Sequence, residues 1–289
     1  MRRVARRRSS RGALVFRIVI GSLAIVYACA AYSWLMLPDV RPLIADPPAR
    51  TAFMDLRATE ARAADRPIRE ERRWLAFNRI APTLRRAVLV AEDDAFWDHD
   101  GVDYRELRAS FEASLEDGTA MRGASTITQQ LAKNLYLSPS RNPWRKVVEL
   151  MLTRRLEAEL SKTRILELYL NVVEWGDGLW GAEAAARAYF GQSASSLSAS
   201  QAALMAGALI NPRIYSPASP NRRLVARQRI ILGRMSRGVA APAPPSLPAS
   251  TDGPSDRSLP VGAPPRVPIP TDPADLLRPP AATDVEREP

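Results

Sequence analysis

Ile18 to Leu37, IVIGSLAIVYACAAYSWLML, forms an apolar run of twenty residues without a charge. At about 1.5 Å per residue such a helix reaches across a hydrocarbon core roughly 30 Å thick, so residues 18–37 predict a transmembrane anchor. From Pro38 to Arg73 the apolar periodicity is weak, and proline, arginine and alanine dominate, as in a stalk or lead-in. Between Trp74 and Arg237 apolar positions recur at helical spacing, with turns marked by Gly and Pro and few β-branched clusters. The pattern predicts a mainly α domain over 74–237. From residue 238 it lapses. The last 51 residues hold 14 of the 25 prolines and little large apolar content, which predicts a disordered tail over 238–289.

Charge refines this division. The formal net charge of +10 resembles that of a nucleic-acid binder, but seven arginines and no acid fall in residues 1–17. The positive-inside rule keeps that segment in the cytoplasm and puts everything after Pro38 on the outer face. Tyr32 and Trp34 near the exit suit an interfacial belt. Ala28, Ala30 and Ala31 leave a cleaved signal peptide open as the alternative. The only cysteine, Cys29, lies in the span, so the outer domain has no disulfide to form. The remaining basic excess suits a polyanion such as a pyrophosphate and gives no reason to expect nucleic acid.

Three constellations could carry chemistry. In AVLVAEDDAFWDHDGVDYREL, Ala87 to Leu107, an apolar run ends in Glu92, Asp93 and Asp94. A carboxylate emerging from apolar surroundings is partly desolvated, which raises its pKa and suits a general acid or base. A solvated helix end is the alternative. His99, the sole histidine, reads as a structural hydrogen-bonding residue. In MRGASTITQQLAKN, Met121 to Asn134, Gly123 supplies a flexible entry, Ser125 or Thr126 can cap a helix, and Thr126 with Gln129 has capping-box spacing. Thr126, Gln129, Gln130 and Lys133 then fall on one polar stripe, opposite Ile127, Leu131 and Leu135. Lys133, Lys146 and Lys162 are the only lysines among 41 basic residues. In NPWRKVVELMLTRRLEAEL, Asn142 and Pro143 signal a helix start, and Glu149 shares a face with Leu152, Leu156 and Leu160. Arg145 and Lys146 one turn earlier make a plausible phosphate site at the positive helix end, with a plain Arg145–Glu149 pair as the alternative.

GDGLWG, Gly176 to Gly181, fits the dinucleotide G-x-G-x-x-G pattern. No Asp or Glu follows between Ala184 and Ser250 to hold a ribose, and the preceding KTRILELYLN reads as helix, so a turn between helices is expected instead.

Taken together, EDDAFWDHDGVD, GASTITQQLAKNLYL, RKVVE, SKTRILELYLNVVEWGDGLWGAEAAARAYFG and SLSASQAALMAGALINPRIYSP, spread in this order from Ala81 to about Met235, resemble the peptidoglycan glycosyltransferases. These are the polymerising domains of class A penicillin-binding proteins and their monofunctional relatives. GAS in place of GGS and the early chain end look like the monofunctional branch of Gram-negative bacteria. No serine stands three residues before any lysine and no K-T-G occurs, so a transpeptidase site is not expected.

The resemblance implies a mainly α, lysozyme-like, two-lobed domain that polymerises lipid II by β-1,4 transfer with release of undecaprenyl pyrophosphate. It implies Glu92 as general base and Glu149 as a second essential glutamate, which could act through a divalent cation, Mg or Mn. It implies Lys133, Arg145 and Lys146 at donor phosphates, and Ser125, Thr126, Gln129 and Gln130 as cleft lining. The bacterial inner membrane is the implied location, with the catalytic domain periplasmic. The nascent glycan strand and cell-wall synthesis or division proteins are the implied partners. A glycan-cleaving enzyme and a non-catalytic lipid II binder are the rivals, and neither needs both a base and a cation cluster.

Overall fold

The computed structural model describes residues 3–118, 125–138 and 144–237. Within these residues the chain is mainly helical. The elements are α1 (Arg3–Leu35), α2 (Ala52–Ala63), β1 (Glu71–Arg72), α3 (Pro82–Glu92), α4 (Tyr104–Asp117), α5 (Ile127–Tyr136), α6 (Trp144–Glu159), α7 (Lys162–Val172), β2 (Glu174–Gly176), β3 (Leu179–Trp180), α8 (Ala182–Phe190), α9 (Ala199–Ala208) and α10 (Arg222–Ser236). The tail expected over 238–289, the Gly123 entry and the Asn142–Pro143 helix start lie outside the described residues.

Apolar spacing and end signals explain the helices that matter. Pro82 stands in the first turn of α3, where its missing N–H costs nothing, and Leu84, Ala87 and Val88 are fully buried. The helix stops at Glu92 because Asp93 turns extended, at φ −166°. Thr126 and Gln129 close the expected capping box on α5, and Ser161 caps α7. Glu149, Leu152 and Leu156 of α6, and Leu160 just past its end, are all buried, as their shared face requires.

Helices α3, α9 and α10 pack as one group, and α2, α5, α6 and α7 as another. One continuous apolar core runs through both, from Leu84 and Val88 through Leu131 and Leu156 to Met205. Burial of a leucine or valine side chain contributes about 2 kcal/mol, so this shared core fixes how the two groups sit.

Two expectations change. The anchor expected over 18–37 stops short of Leu37: α1 ends at Leu35, and Leu37 is buried in the domain core with Val40 and Leu43. The apolar, solvent-exposed stretch of α1 is Gly12–Leu35, long enough to cross a membrane. The lead-in 38–73 is no free stalk. Met54 and Ala58 of α2 are buried, Arg164 donates to the Leu43 carbonyl at 2.7 Å, and Arg155 donates to that of Leu37 at 3.1 Å. Its weak periodicity reflects short elements that bury few side chains, three on α2 and none on β1.

GDGLWG is a β-hairpin rather than a simple turn between helices. β2 pairs antiparallel with β3, whose other edge takes β1 in parallel. Gly178 sits at φ +71°, with the Arg69 backbone where a side chain would go. Strands of two or three residues are too short to show a period of two, which hid them in the sequence.

Candidate active site

The end of α3 and the start of α5 are joined by a single residue. Asp93, its side chain 3% exposed, accepts the Ile127 N–H at 2.9 Å through Oδ2 and meets His99 Nε2 at 2.9 Å through Oδ1. The Gly101 N–H donates to His99 Nδ1, so the ring proton is on Nε2 and points at Asp93. His99 is therefore structural, as expected. Thr126 donates to the Gly101 carbonyl at 2.7 Å and closes the loop. Asp93→Ala is expected to orphan the Ile127 donor and the histidine together. That should cost about 3 kcal/mol, or about 10 °C in Tm for a domain of this size, read by thermal denaturation.

This junction aims the residues on either side. Glu92 is 13% exposed at its side chain, and Gln130 Nε2 donates to its Oε2 at 2.9 Å. Tyr169, fully buried on α7, bonds to Gln130 Oε1 at 3.0 Å. Arg227 of α10 stands 3.8 Å from Glu92 Oε1. Burial pushes the Glu92 carboxyl above the usual carboxylate value, while Gln130, Arg227 and Lys133 pull it down. Such a group takes up a proton readily yet can still be ionised to receive it. Glu92 and Ser125 line a cleft of about 560 Å³ whose far wall is α4, with Arg105 and Glu106.

One turn past Gln130, Lys133 is half buried. Burial lowers its amine below the ordinary lysine value; Glu149 and Glu92 pull it up, and Arg145 and Lys146 push it down. Lys133 thus lies within electrostatic reach of both glutamates, and among the described residues it has no ion pair. Glu149, 4% exposed, pairs with Lys146 and lies 3.8 Å from Arg145. The fold therefore gathers Glu92, Gln130, Lys133, Arg145, Lys146 and Glu149 from three helices. Thr126 and Gln129 are buried, with polar atoms spent on the α5 start, so they shape the site mainly by capping it.

No cluster of three metal-ligating side chains occurs among the described residues, and both oxygens of Glu149 face cations. This donor set does not make a metal site by itself.

Three features escaped the sequence. Arg227 was lost among the many arginines of α10. Asp93 had a signal, its place inside an apolar-to-acidic switch, but nothing in spacing told it from Asp94. Lys162, unexplained by spacing, pairs with Glu157 at 2.8 Å and lies 4.4 Å from the centre of the Phe96 ring. Glu157 also accepts from Thr128 at 2.5 Å, so Lys162 joins α5, α6 and α7 and is structural.

A family model described as Transglycosylase matches residues 60–236. Proteins called biosynthetic peptidoglycan transglycosylase are similar to this chain. That of Laribacter hongkongensis is 48% identical over 191 residues, 65% of this chain and 83% of its own length. That of Chromobacterium violaceum is 40% identical over 223 residues, 77% of this chain and 96% of its own length. That of Aromatoleum aromaticum is 48% identical over 188 residues, 65% of this chain and 81% of its own length.

Proposed function

The chain belongs to the transglycosylase family and is a peptidoglycan glycosyltransferase, and from that premise we propose that it elongates glycan strands using lipid II. Glu92 is the general base. It takes the proton from the 4-hydroxyl of the acceptor N-acetylglucosamine as that oxygen bonds to C1 of the muramyl donor. The C1–O bond to undecaprenyl pyrophosphate breaks, and the configuration inverts to β-1,4. Lys133, Arg145 and Lys146 meet the charge of the departing pyrophosphate, and Glu149 holds those cations together. Ser125 lines the cleft that takes the sugars, and Gln130, its amide engaged by Glu92 and Tyr169, supports the base.

One observation carries this reading: Lys133, half buried and without an ion pair among the described residues, lies within electrostatic reach of both glutamates. A buried cation held without a carboxylate is prepared for an incoming anion. A glycan-cleaving enzyme would need the carboxylate and not the cations. The α1 helix anchors the domain. Its arginine-rich start supports, by the positive-inside rule, a cytoplasmic N-terminus and a domain on the periplasmic face of the inner membrane, where a polyprenyl-linked substrate is confined to the same surface.

The test is incubation with lipid II followed by lysozyme digestion and gel analysis. Polymer that lysozyme degrades supports polymerisation; its absence sinks the reading. Lys133→Ala is expected to lower kcat/KM for lipid II about tenfold to a hundredfold, the worth of a charge-assisted contact. Unchanged kinetics would remove Lys133 from the donor site.

A further inference from the structure

We propose that Tyr169 is a positioning residue that locks the Gln130 amide so that its NH2 group, and not its carbonyl, faces Glu92. The inference rests on Glu92 being the base.

Gln130 lies between groups of opposite character. Its Nε2 faces two acceptors, Glu92 Oε2 at 2.9 Å and the Ser125 carbonyl at 3.4 Å, and its Oε1 faces the Tyr169 hydroxyl at 3.0 Å. Tyr169 is fully buried, and among the described residues its hydroxyl has no other partner. Turning the amide over would bring nitrogen to the hydroxyl and leave the hydroxyl hydrogen with no acceptor, a cost that buried polar groups rarely bear. Burial, with Glu92 and Asp93 nearby, raises the tyrosine well above its ordinary value, so the hydroxyl keeps its proton and donates.

Donation fixes the state of the chain. With Tyr169 O–H on Oε1, the amide must donate to Glu92, and donation favours the carboxylate over the acid. Protonated Glu92 would want an acceptor, which the locked amide does not offer. The base is therefore held ionised between turnovers despite its burial. Other charges also act on Glu92: Arg227 from α10 and Lys133 from α5 favour the carboxylate, and Asp93 opposes it. Arg105 and Glu106 of α4 and Arg234 of α10 line the adjoining cleft, and α9, packed against α3, has no ionisable side chain. None of these contacts the Gln130 amide, so loss of the tyrosine hydroxyl isolates the lock.

The experiment is the pH profile of kcat/KM for lipid II polymerisation, measured on the full chain. In Tyr169→Phe the amide is free to turn its oxygen to Glu92 and stabilise the acid. The acidic limb should move up by about one pH unit, a tenfold loss of ionised base below it. Gln130→Met should move the limb the same way, and adding Tyr169→Phe to Gln130→Met should move it no further. A limb that stays put in Tyr169→Phe overturns the proposal, as does a further shift in the double variant. If Tyr169→Phe does not fold, an unmoved limb in Gln130→Met overturns it equally. Polymerisation by Glu92→Gln at the wild-type rate would instead defeat the underlying assignment of the base.

Discussion

Glu92→Gln is expected to lower glycan polymerisation about a thousandfold while making the folded protein more stable at neutral pH. The rate loss is what removal of a positioned base produces, typically 10²–10⁴-fold, about. The gain in stability follows from the carboxyl's environment. Its folded-state pKa lies above the ordinary value because it is buried. The stability such a group gives is therefore complete below the ordinary carboxylate value and is lost as pH rises through the raised one. At ~pH 7 the ionised side chain is a net cost, which glutamine removes while its one carbonyl oxygen still accepts from Gln130. A gain of about 1 kcal/mol is expected. The difference in Tm between variant and wild type should shrink toward zero as pH falls below the raised value. A variant that polymerises normally, or one that is equally destabilised at every pH, would contradict the assignment.

Glu149→Gln should have the second largest effect, through charge balance. Glu149 is the carboxylate that allows Lys133, Arg145 and Lys146 to stand together, and its removal leaves three cations in mutual repulsion. Breaking a fully buried pair costs about 3–5 kcal/mol, but Lys146 is 57% exposed and Arg145 28%, so about 1–2 kcal/mol is expected here. Lys133 also loses its strongest upward pull, so its amine falls further below the ordinary lysine value. The ammonium then loses its proton at lower pH, and the alkaline limb of polymerisation should move down. Urea denaturation and the pH profile read the two effects separately. An unmoved alkaline limb would show that Lys133 does not act as the cation.

Much of this was legible along the chain because it is local. The capping box at Thr126 and Gln129, the buried face of Glu149 with its leucines, and the apolar end of α3 at Glu92 all follow from a period of 3.6 and known end signals. The structural role of His99 was legible too. Less visible were contacts that join distant segments. Tyr169 meets Gln130 across 39 positions, Asp93 holds Ile127 across 34, and Arg227 comes to Glu92 from α10. Spacing along a helix fixes the direction of a side chain and says nothing about its neighbour on another helix. The hairpin in GDGLWG was missed for a related reason, since strands this short are made by their pairing and not by their pattern.

Leu37 marks the boundary between the two kinds of knowledge. By itself the sequence determined that the chain has an N-terminal apolar run long enough to cross a membrane, a mainly helical domain, and two glutamates with a lysine-bearing polar stripe among five ordered motifs. Hydropathy could not tell an apolar residue that faces lipid from one that faces a protein core, because both environments exclude water alike. Only the tertiary structure decided that Leu37 belongs to the core, that Lys162 is spent on Glu157, and that Lys133 stands within electrostatic reach of Glu92 and Glu149 without an ion pair among the described residues.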